Sequence, residues 1–303
     1  MNKIYTALGT MSGTSLDGID FSIIETDGED YLNIISSEYL EFSNNLKDRI
    51  SNLKLKIKST DECRAIIKSK EYKELSRKIT LLHYEGIQTI ITHVHKIPIH
   101  VVGFHGITLW HKPEDKFTHQ LGDPLLLKKK FNKHSHLKKS SLIFDFRKND
   151  IKNGGHGAPL TPIFHKLLKT KFKIKEVTFV NIGGIVNTTT FWNDDNMSGT
   201  DIGPGMCLID RWVRHKSKRN YDENGIIAKS GKVNKIILDQ LLENFYEKTN
   251  ILSTGPIQSF DTKYFDFSFV KDLSLEDGTA TLTEFTARII ISALKSTDRN
   301  KEK

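Results

Sequence analysis

Short apolar runs alternate along the chain with stretches rich in Gly, Ser and Asp. Residues 4–9 are apolar, residues 11–18 carry Gly, Ser and Thr, and residues 19–24 are apolar again. Two strands joined by a polar, glycine-bearing turn predict a β-hairpin. Residues 38–95 are charged, with Leu53, Ile57, Ile66, Leu75, Ile79 and Leu82 recurring at roughly helical spacing, which predicts one or two amphipathic helices. Residues 97–103 (IPIHVVG), 142–146 and 177–182 (VTFVNI) read as buried strands, each followed by polar or glycine-rich residues. Helical patterns return at residues 208–214, 236–246 and 281–294, the last (TLTEFTARIIISAL) strongly amphipathic. The mixture is α/β, and every chemically suggestive cluster follows the carboxyl end of a strand, where open α/β sheets bind ligands.

Length and composition narrow the picture. Domains typically run to ~100 to 200 residues, so two are expected in this chain. The boundary is placed near residue 140, giving 1–139 and 140–303. With 37% hydrophobic and 27% charged residues, the composition is that of an ordinary globular protein. The net charge of +8 comes from scattered lysines, without a helix-turn-helix, finger or RNP-type pattern. That favours attraction to small anions such as nucleotides and argues against nucleic acid as a partner. The two cysteines, Cys63 and Cys207, lack metal-ligand spacing and are expected as core thiols. No basic leader and no run of ~18 apolar residues is visible, so a cytoplasmic location without a membrane partner is expected.

Five clusters carry candidate chemistry. GTMSGTSLDGID (9–20) is a turn whose glycines let backbone approach an anion, without the Gly-Lys-Ser/Thr ending of a P-loop. Hairpin turns also use Gly, Ser and Asp for conformational reasons, so a purely structural reading stands beside the functional one. GFHGITLWH (103–111) and THQLGDP (118–124) concentrate histidines, Trp110, Gln120 and Asp123, a set of stacking and hydrogen-bonding groups suited to a polyol. The histidine spacings do not fit a zinc site. DFRKNDIKNGGHGAP (145–159) offers Asp145 or Asp150 as a general base beside a glycine-rich stretch, with Arg147 to hold a nucleophile, a phosphate or a neighbouring carboxylate. NIGGIVN (181–187) and TDIGPGMCLID (200–210) place paired glycines after β-type runs, suited to closing on phosphates.

Taken in order, these blocks resemble the signature segments of the anhydro-N-acetylmuramic acid kinases. The likeness continues through YDENGIIAKSG (221–231) and DGTATLTEFTA (277–287) and covers most of the chain. The resemblance implies two ribonuclease-H-like, actin-like ATPase lobes with a nucleotide cleft between them, and ATP with Mg²⁺ as cofactors. It implies hydrolytic opening of 1,6-anhydro-N-acetylmuramic acid with phosphorylation of O6, a step of peptidoglycan recycling. The family's base aspartate matches Asp150, with Arg147 beside it. The phosphate-binding hairpin matches Gly13, Thr14, Ser15, Leu16, Asp17, Gly18, Ile19 and Asp20, and Gly183, Gly184, Gly203 and Gly205 complete the nucleotide contacts. His105, Thr108, Trp110, Gln120 and Asp123 are the expected sugar contacts, and Asp17 and Asp201 the expected magnesium-side carboxylates, acting through water.

Three departures from the family pattern set the alternatives. His156 stands where the family has Gln, and Ile107 stands in Phe104-His105-Gly106-Ile107-Thr108 where it has a second Gln, expected to remove an amide from the sugar face. The family also continues past the 281–294 helix into a strand, a glycine turn of the nucleoside site and a final helix, for which this chain has no counterpart. A truncated relic that keeps sugar binding, and an actin-like kinase for another sugar, therefore stand beside the kinase reading. A homodimer is left open as the assembly.

Overall fold

A computed structural model describes residues 3–13, 15–94, 97–192, 196–249, 260 and 262–299. The chain forms two compact units, 1–157 and 158–303.

The first unit opens with β1 (Tyr5–Met11), β2 (Gly18–Thr26) and β3 (Leu32–Glu41), an antiparallel meander. Three helices follow, α1 (Asn44–Leu55), α2 (Thr60–Ile67) and α3 (Lys70–Thr92). Serine side chains start two of them: Ser59 accepts the amide of Glu62 at α2, and Ser69 that of Tyr72 at α3. Each occupies a donor that the first helical turn leaves unpaired. Leu75, Ile79, Ile87 and Ile90 recur at helical spacing along α3 and are buried in the unit's core with Leu8, Ile19 and Val102. Each such side chain contributes roughly 1.5–3 kcal/mol of transfer free energy. Gly86 of α3 lies against the Phe21 ring so closely that any side chain there would overlap it.

Then come β4 (Val101–Phe104), the hairpin β5 (Ile107–Lys112) and β6 (Phe117–Leu121), α4 (Pro124–Phe131), β7 (Ser141–Phe144) and α5 (Phe146–Lys152). The main sheet has the order β3-β2-β1-β4-β7, with β4 parallel to both β1 and β7. The expected boundary near residue 140 is corrected by that pairing. Phe144 pairs with Phe104, and Phe104 with Thr10, so β7 is a strand of the first sheet and α5 follows it into the same unit.

The second unit holds α6 (Pro162–Lys171), the antiparallel sheet of β8 (Val177–Ile182), β9 (Ile185–Phe191) and β10 (Met197–Pro204) in the order β10-β9-β8, and then α7 (Met206–Lys216), α8 (Ile226–Ser230), α9 (Lys235–Thr249) and α10 (Leu275–Arg299). Its core gathers Trp212, Phe245, Leu282, Phe285 and Ile289. The Trp212 indole N–H donates to the Leu275 carbonyl at 3.1 Å, and Gly278 gives the ring room against α10. Cys63 and Cys207 are both buried free thiols, as expected.

The β1–β2 hairpin, the 177–182 strand and the 281–294 helix are where the pattern of apolar residues puts them. Three elements differ. β3 occupies the start of the segment read as helical, which itself forms three helices. The sugar-type blocks form the β5–β6 hairpin, whose polar faces hide the alternation of a strand. Among the described residues, no helix is long and apolar enough to cross a membrane.

Candidate active site

Parallel strands carry their chemistry at one edge. Met11, His105 and Asp145 each follow the aligned positions Thr10, Phe104 and Phe144, so the first three sequence blocks of this unit converge at the carboxyl edge of β1, β4 and β7. Thr10 links two of them, its hydroxyl donating to the Gly103 carbonyl at 3.1 Å.

The hairpin turn between β1 and β2 is internally braced. The buried Ser12 hydroxyl donates to the Gly18 carbonyl at 2.7 Å, the Leu16 amide closes onto Gly13 at 3.3 Å, and the Phe42 amide donates to the Asp17 carbonyl at 2.9 Å. Leu16 has a left-handed backbone with φ 62° and a buried side chain, and Ile19 is core. Ser15, Asp17 and Asp20 are exposed, whereas Thr14 lies outside the described residues. A Cβ on Gly18 would overlap the Leu40 carbonyl and the Tyr39 ring, so this glycine lets β3 close over the turn. Burial, then the charge of Asp17, raises the carboxyl of Asp20.

The second block is a layered set of rings. His105 is buried; its Nδ1 lies 2.8 Å from the Gly106 carbonyl, which can only accept, so Nδ1 carries the proton. Its Nε2 then accepts the Arg147 Nε–H at 3.1 Å. Burial, followed by the Arg147 charge, holds this imidazole neutral by lowering its pKa to about 4. His111 bonds the Thr118 hydroxyl at 3.0 Å, and the Gln120 amide donates to that hydroxyl at 2.8 Å. Thr108 is paired with Gln120 across the hairpin. His119 meets the Tyr72 hydroxyl at 2.7 Å. Trp110 and Asp123 have other occupations. The Trp110 indole donates to Thr60 at 3.0 Å, and Asp123 caps α4 by accepting the Leu126 amide at 2.9 Å. Ile107 is fully buried in the core rather than on the polar face.

The third block brings both expected catalytic residues into this same unit. The Asp145 carboxylate is ion-paired with Lys148 at 2.5 Å. Asp150 is exposed near the end of α5 and accepts the Gly157 amide at 2.6 Å. Arg147 donates through Nη1 to the Gly157 carbonyl at 2.6 Å. Gly155 passes the Asp150 carboxylate so closely that a Cβ there would overlap it, and Gly157, with φ +66°, would set a Cβ against Ile151 and Arg147. The Asp150 carboxylate is thus exposed, fixed by one amide and held beside glycine backbone.

In the second unit, the Gly183-Gly184 turn and the 203–205 turn are bonded together. The amides of Gly205 and Met206 donate to the carbonyls of Gly184 and Gly183 at 3.0 and 2.9 Å, and the Cys207 amide reaches Gly184 at 3.3 Å. Gly205 permits that approach, since a Cβ would overlap the Gly183 carbonyl, and Gly203 faces Phe245 and Ile289. The nearly buried Asp201 carboxylate accepts the Phe260 amide at 2.8 Å.

A cavity of about 730 Å³ lies at the opposite, amino edge of the first sheet, lined by Tyr5, His100, His136, Lys138 and Ser141 among others. None of the candidate site residues lines it.

The anhydro-N-acetylmuramic acid kinase family model matches residues 5–303. The chain belongs to that family. A family member from Pelagibacter ubique (strain HTCC1062), named anhydro-N-acetylmuramic acid kinase, is 43% identical over 307 residues, spanning 100% of this chain and 78% of the relative. One of the same name from Zymomonas mobilis is 33% identical over 291 residues, spanning 95% and 76%. A solved Ppx/GppA family member from Aquifex aeolicus covers 98% of this chain and 92% of its own at 10% identity and a TM-score of 0.38, a likeness too slight to argue from. Membership of the anhydro-N-acetylmuramic acid kinase family gives the Asp150 block its chemical context.

Proposed function

We propose that this chain is an ATP-dependent kinase that opens 1,6-anhydro-N-acetylmuramic acid with water and phosphorylates its O6. The observation that carries the reading is the Asp150 carboxylate, exposed and accepting the Gly157 amide, within a family named for this substrate. In the proposed reaction a water gives its proton to Asp150 and its oxygen to C1 of the sugar. The C1–O6 bond breaks, O6 attacks the γ-phosphorus, and ADP leaves. The products are N-acetylmuramate 6-phosphate and ADP, with the proton on Asp150 released afterwards. Asp145 is the weaker candidate for base because Lys148 already neutralises it.

The turn at residues 13–20 in the first unit, and Gly183, Gly184, Gly203 and Gly205 in the second, are proposed as nucleotide-contact backbone. Phosphoryl transfer leaves little covalent work to protein, so positioning and charge neutralisation supply most of the acceleration. Mg²⁺ fits the hairpin acids: Asp17 and Asp20 are exposed oxygen donors, and the Asp17 charge contributes to raising Asp20. Among the described residues no group of three or more His, Cys, Asp or Glu gathers to hold a metal, so water and phosphate oxygens would complete the shell, as suits magnesium. Bound there, the ion would neutralise phosphate charge. Asp201 fits less well, with its carboxylate on the Phe260 amide. Thr108 and Gln120 offer the polar face for the sugar, while Trp110 and Asp123 serve the hairpin and α4, and the His105 ring is bonded within the protein.

The test is Asp150→Asn. Turnover of anhydro-N-acetylmuramate, followed as ADP release, is expected to fall by about a hundredfold to ten-thousandfold with ATP affinity retained. Turnover near that of the unaltered chain would remove Asp150 from the reaction.

A further inference from the structure

His105 was expected to touch the sugar, yet its two ring nitrogens are both engaged within the protein. One proton-bearing nitrogen faces the Gly106 carbonyl at 2.8 Å, and the other accepts from Arg147 at 3.1 Å. Arg147 passes the constraint on, donating to the Gly157 carbonyl at 2.6 Å, and the Gly157 amide in turn donates to Asp150 at 2.6 Å. Four residues from two separate stretches of chain thus form one continuous run of hydrogen bonds from the end of β4 to the carboxylate.

We propose that His105 is a positioning residue: its Nε2 lone pair fixes Arg147, and through Arg147 and Gly157 it aims the Asp150 carboxylate. The proposal rests on the reading of Asp150 as base. Three observations favour it over a sugar contact. His105 is buried, with 7% of its surface exposed, which leaves little of the ring for a ligand. Phe146, the residue before Arg147, lies parallel to the ring at 6.5 Å and 9°, so α5 covers the imidazole as well as bonding it. A guanidinium would repel an imidazolium, and burial together with the Arg147 charge keeps His105 uncharged, with its lone pair available at neutral pH. Carboxylate placement is sensitive, since a misplacement of about 1 Å can cost ~100-fold in rate.

The experiment compares His105→Leu, His105→Gln, Arg147→Gln and the double variant His105→Leu with Arg147→Gln, each in the full chain, alongside Asp150→Asn. Initial rates give kcat and KM for anhydro-N-acetylmuramate and for ATP, and thermal melting reports folding. His105→Leu removes the acceptor and is expected to lower kcat by about tenfold or more, with both KM values within about twofold. His105→Gln, whose amide oxygen can accept, recovers part of the loss. The double variant is no slower than Arg147→Gln alone, because the two act in series. A raised sugar KM at unchanged kcat would return His105 to the sugar face and overturn the proposal. So would additive losses in the double variant, an unchanged kcat, or a loss in both His105 variants that only follows a fallen melting midpoint. Normal turnover in Asp150→Asn defeats the base reading itself; slow turnover there with a normal His105→Leu defeats only the relay.

Discussion

Asp150 shows how far a single residue can be understood from its neighbours. Its carboxylate is fixed on one side by the Gly157 amide and bounded on the other by Gly155. A methyl group at 155 would occupy the carboxylate's place, and the atoms it displaces are the free end of a side chain, so the fold can yield while the base moves. Gly155→Ala is therefore expected to cut turnover by about tenfold to a hundredfold while the melting midpoint stays within a degree or so of the unaltered protein. A large loss of stability would instead show that the 154–157 segment is packed more rigidly than this geometry implies. Residue types and order left Asp145 and Asp150 as equal candidates for a base, and it was the family resemblance that singled out Asp150, with Arg147 beside it. The burial of Ile107 and the inward bonds of His105 were not legible, because facing direction within the β5–β6 hairpin depends on its register and its irregularity between Thr108 and Trp110.

At the level of elements, legibility followed apolar patterning. The β1–β2 hairpin and α10 announce themselves, the first by two apolar runs about a polar turn and the second by its helical period. β3 does not, because most of its side chains are half-buried or exposed and several are polar. Its docking depends instead on one glycine in β2. At Gly18 the Leu40 carbonyl and the Tyr39 ring leave no room for a side chain, and a backbone oxygen cannot swing aside. Gly18→Ala is expected to destabilise the protein by about 1–3 kcal/mol, the usual range for overpacking, measured by the shift in the urea midpoint. Since the turn joining β1 to β2 is tied to the end of β3 by the Phe42 amide on the Asp17 carbonyl, weaker ATP binding should accompany the loss if that turn contacts the nucleotide as proposed.

For the whole molecule, the division at residue 157 is the feature least visible in the sequence. The parallel pairing of β4 with β7 joins segments separated by β5, β6 and α4, and such pairing leaves no local signature. Its result is that the proposed base, the ring cluster and the turn at 13–20 all belong to one unit. That unit also concentrates neutral histidines: burial is the leading cause that lowers His83, His105, His111 and His119 to about 4. In the unfolded chain they take up protons near their ordinary value of about 6.5, whereas the folded state refuses them until about pH 4. Stability is therefore complete above about pH 6.5 and falls as pH drops towards 4. Urea unfolding at pH 5 should show a midpoint clearly below that at pH 7, by an amount on the order of one to a few kcal/mol. Equal midpoints would mean that the four rings accept protons without leaving their places.

The opening amides of α7 already have acceptors, the carbonyls of Gly183 and Gly184. An anion arriving at that helix start meets a closed clasp rather than a vacant cradle, and gains only the difference between its own bonds and those it displaces. If the second unit contacts a nucleotide as proposed, recognition there would be an exchange reaction, in which a multiply charged chain of phosphates could prevail where a lone inorganic phosphate would have little advantage.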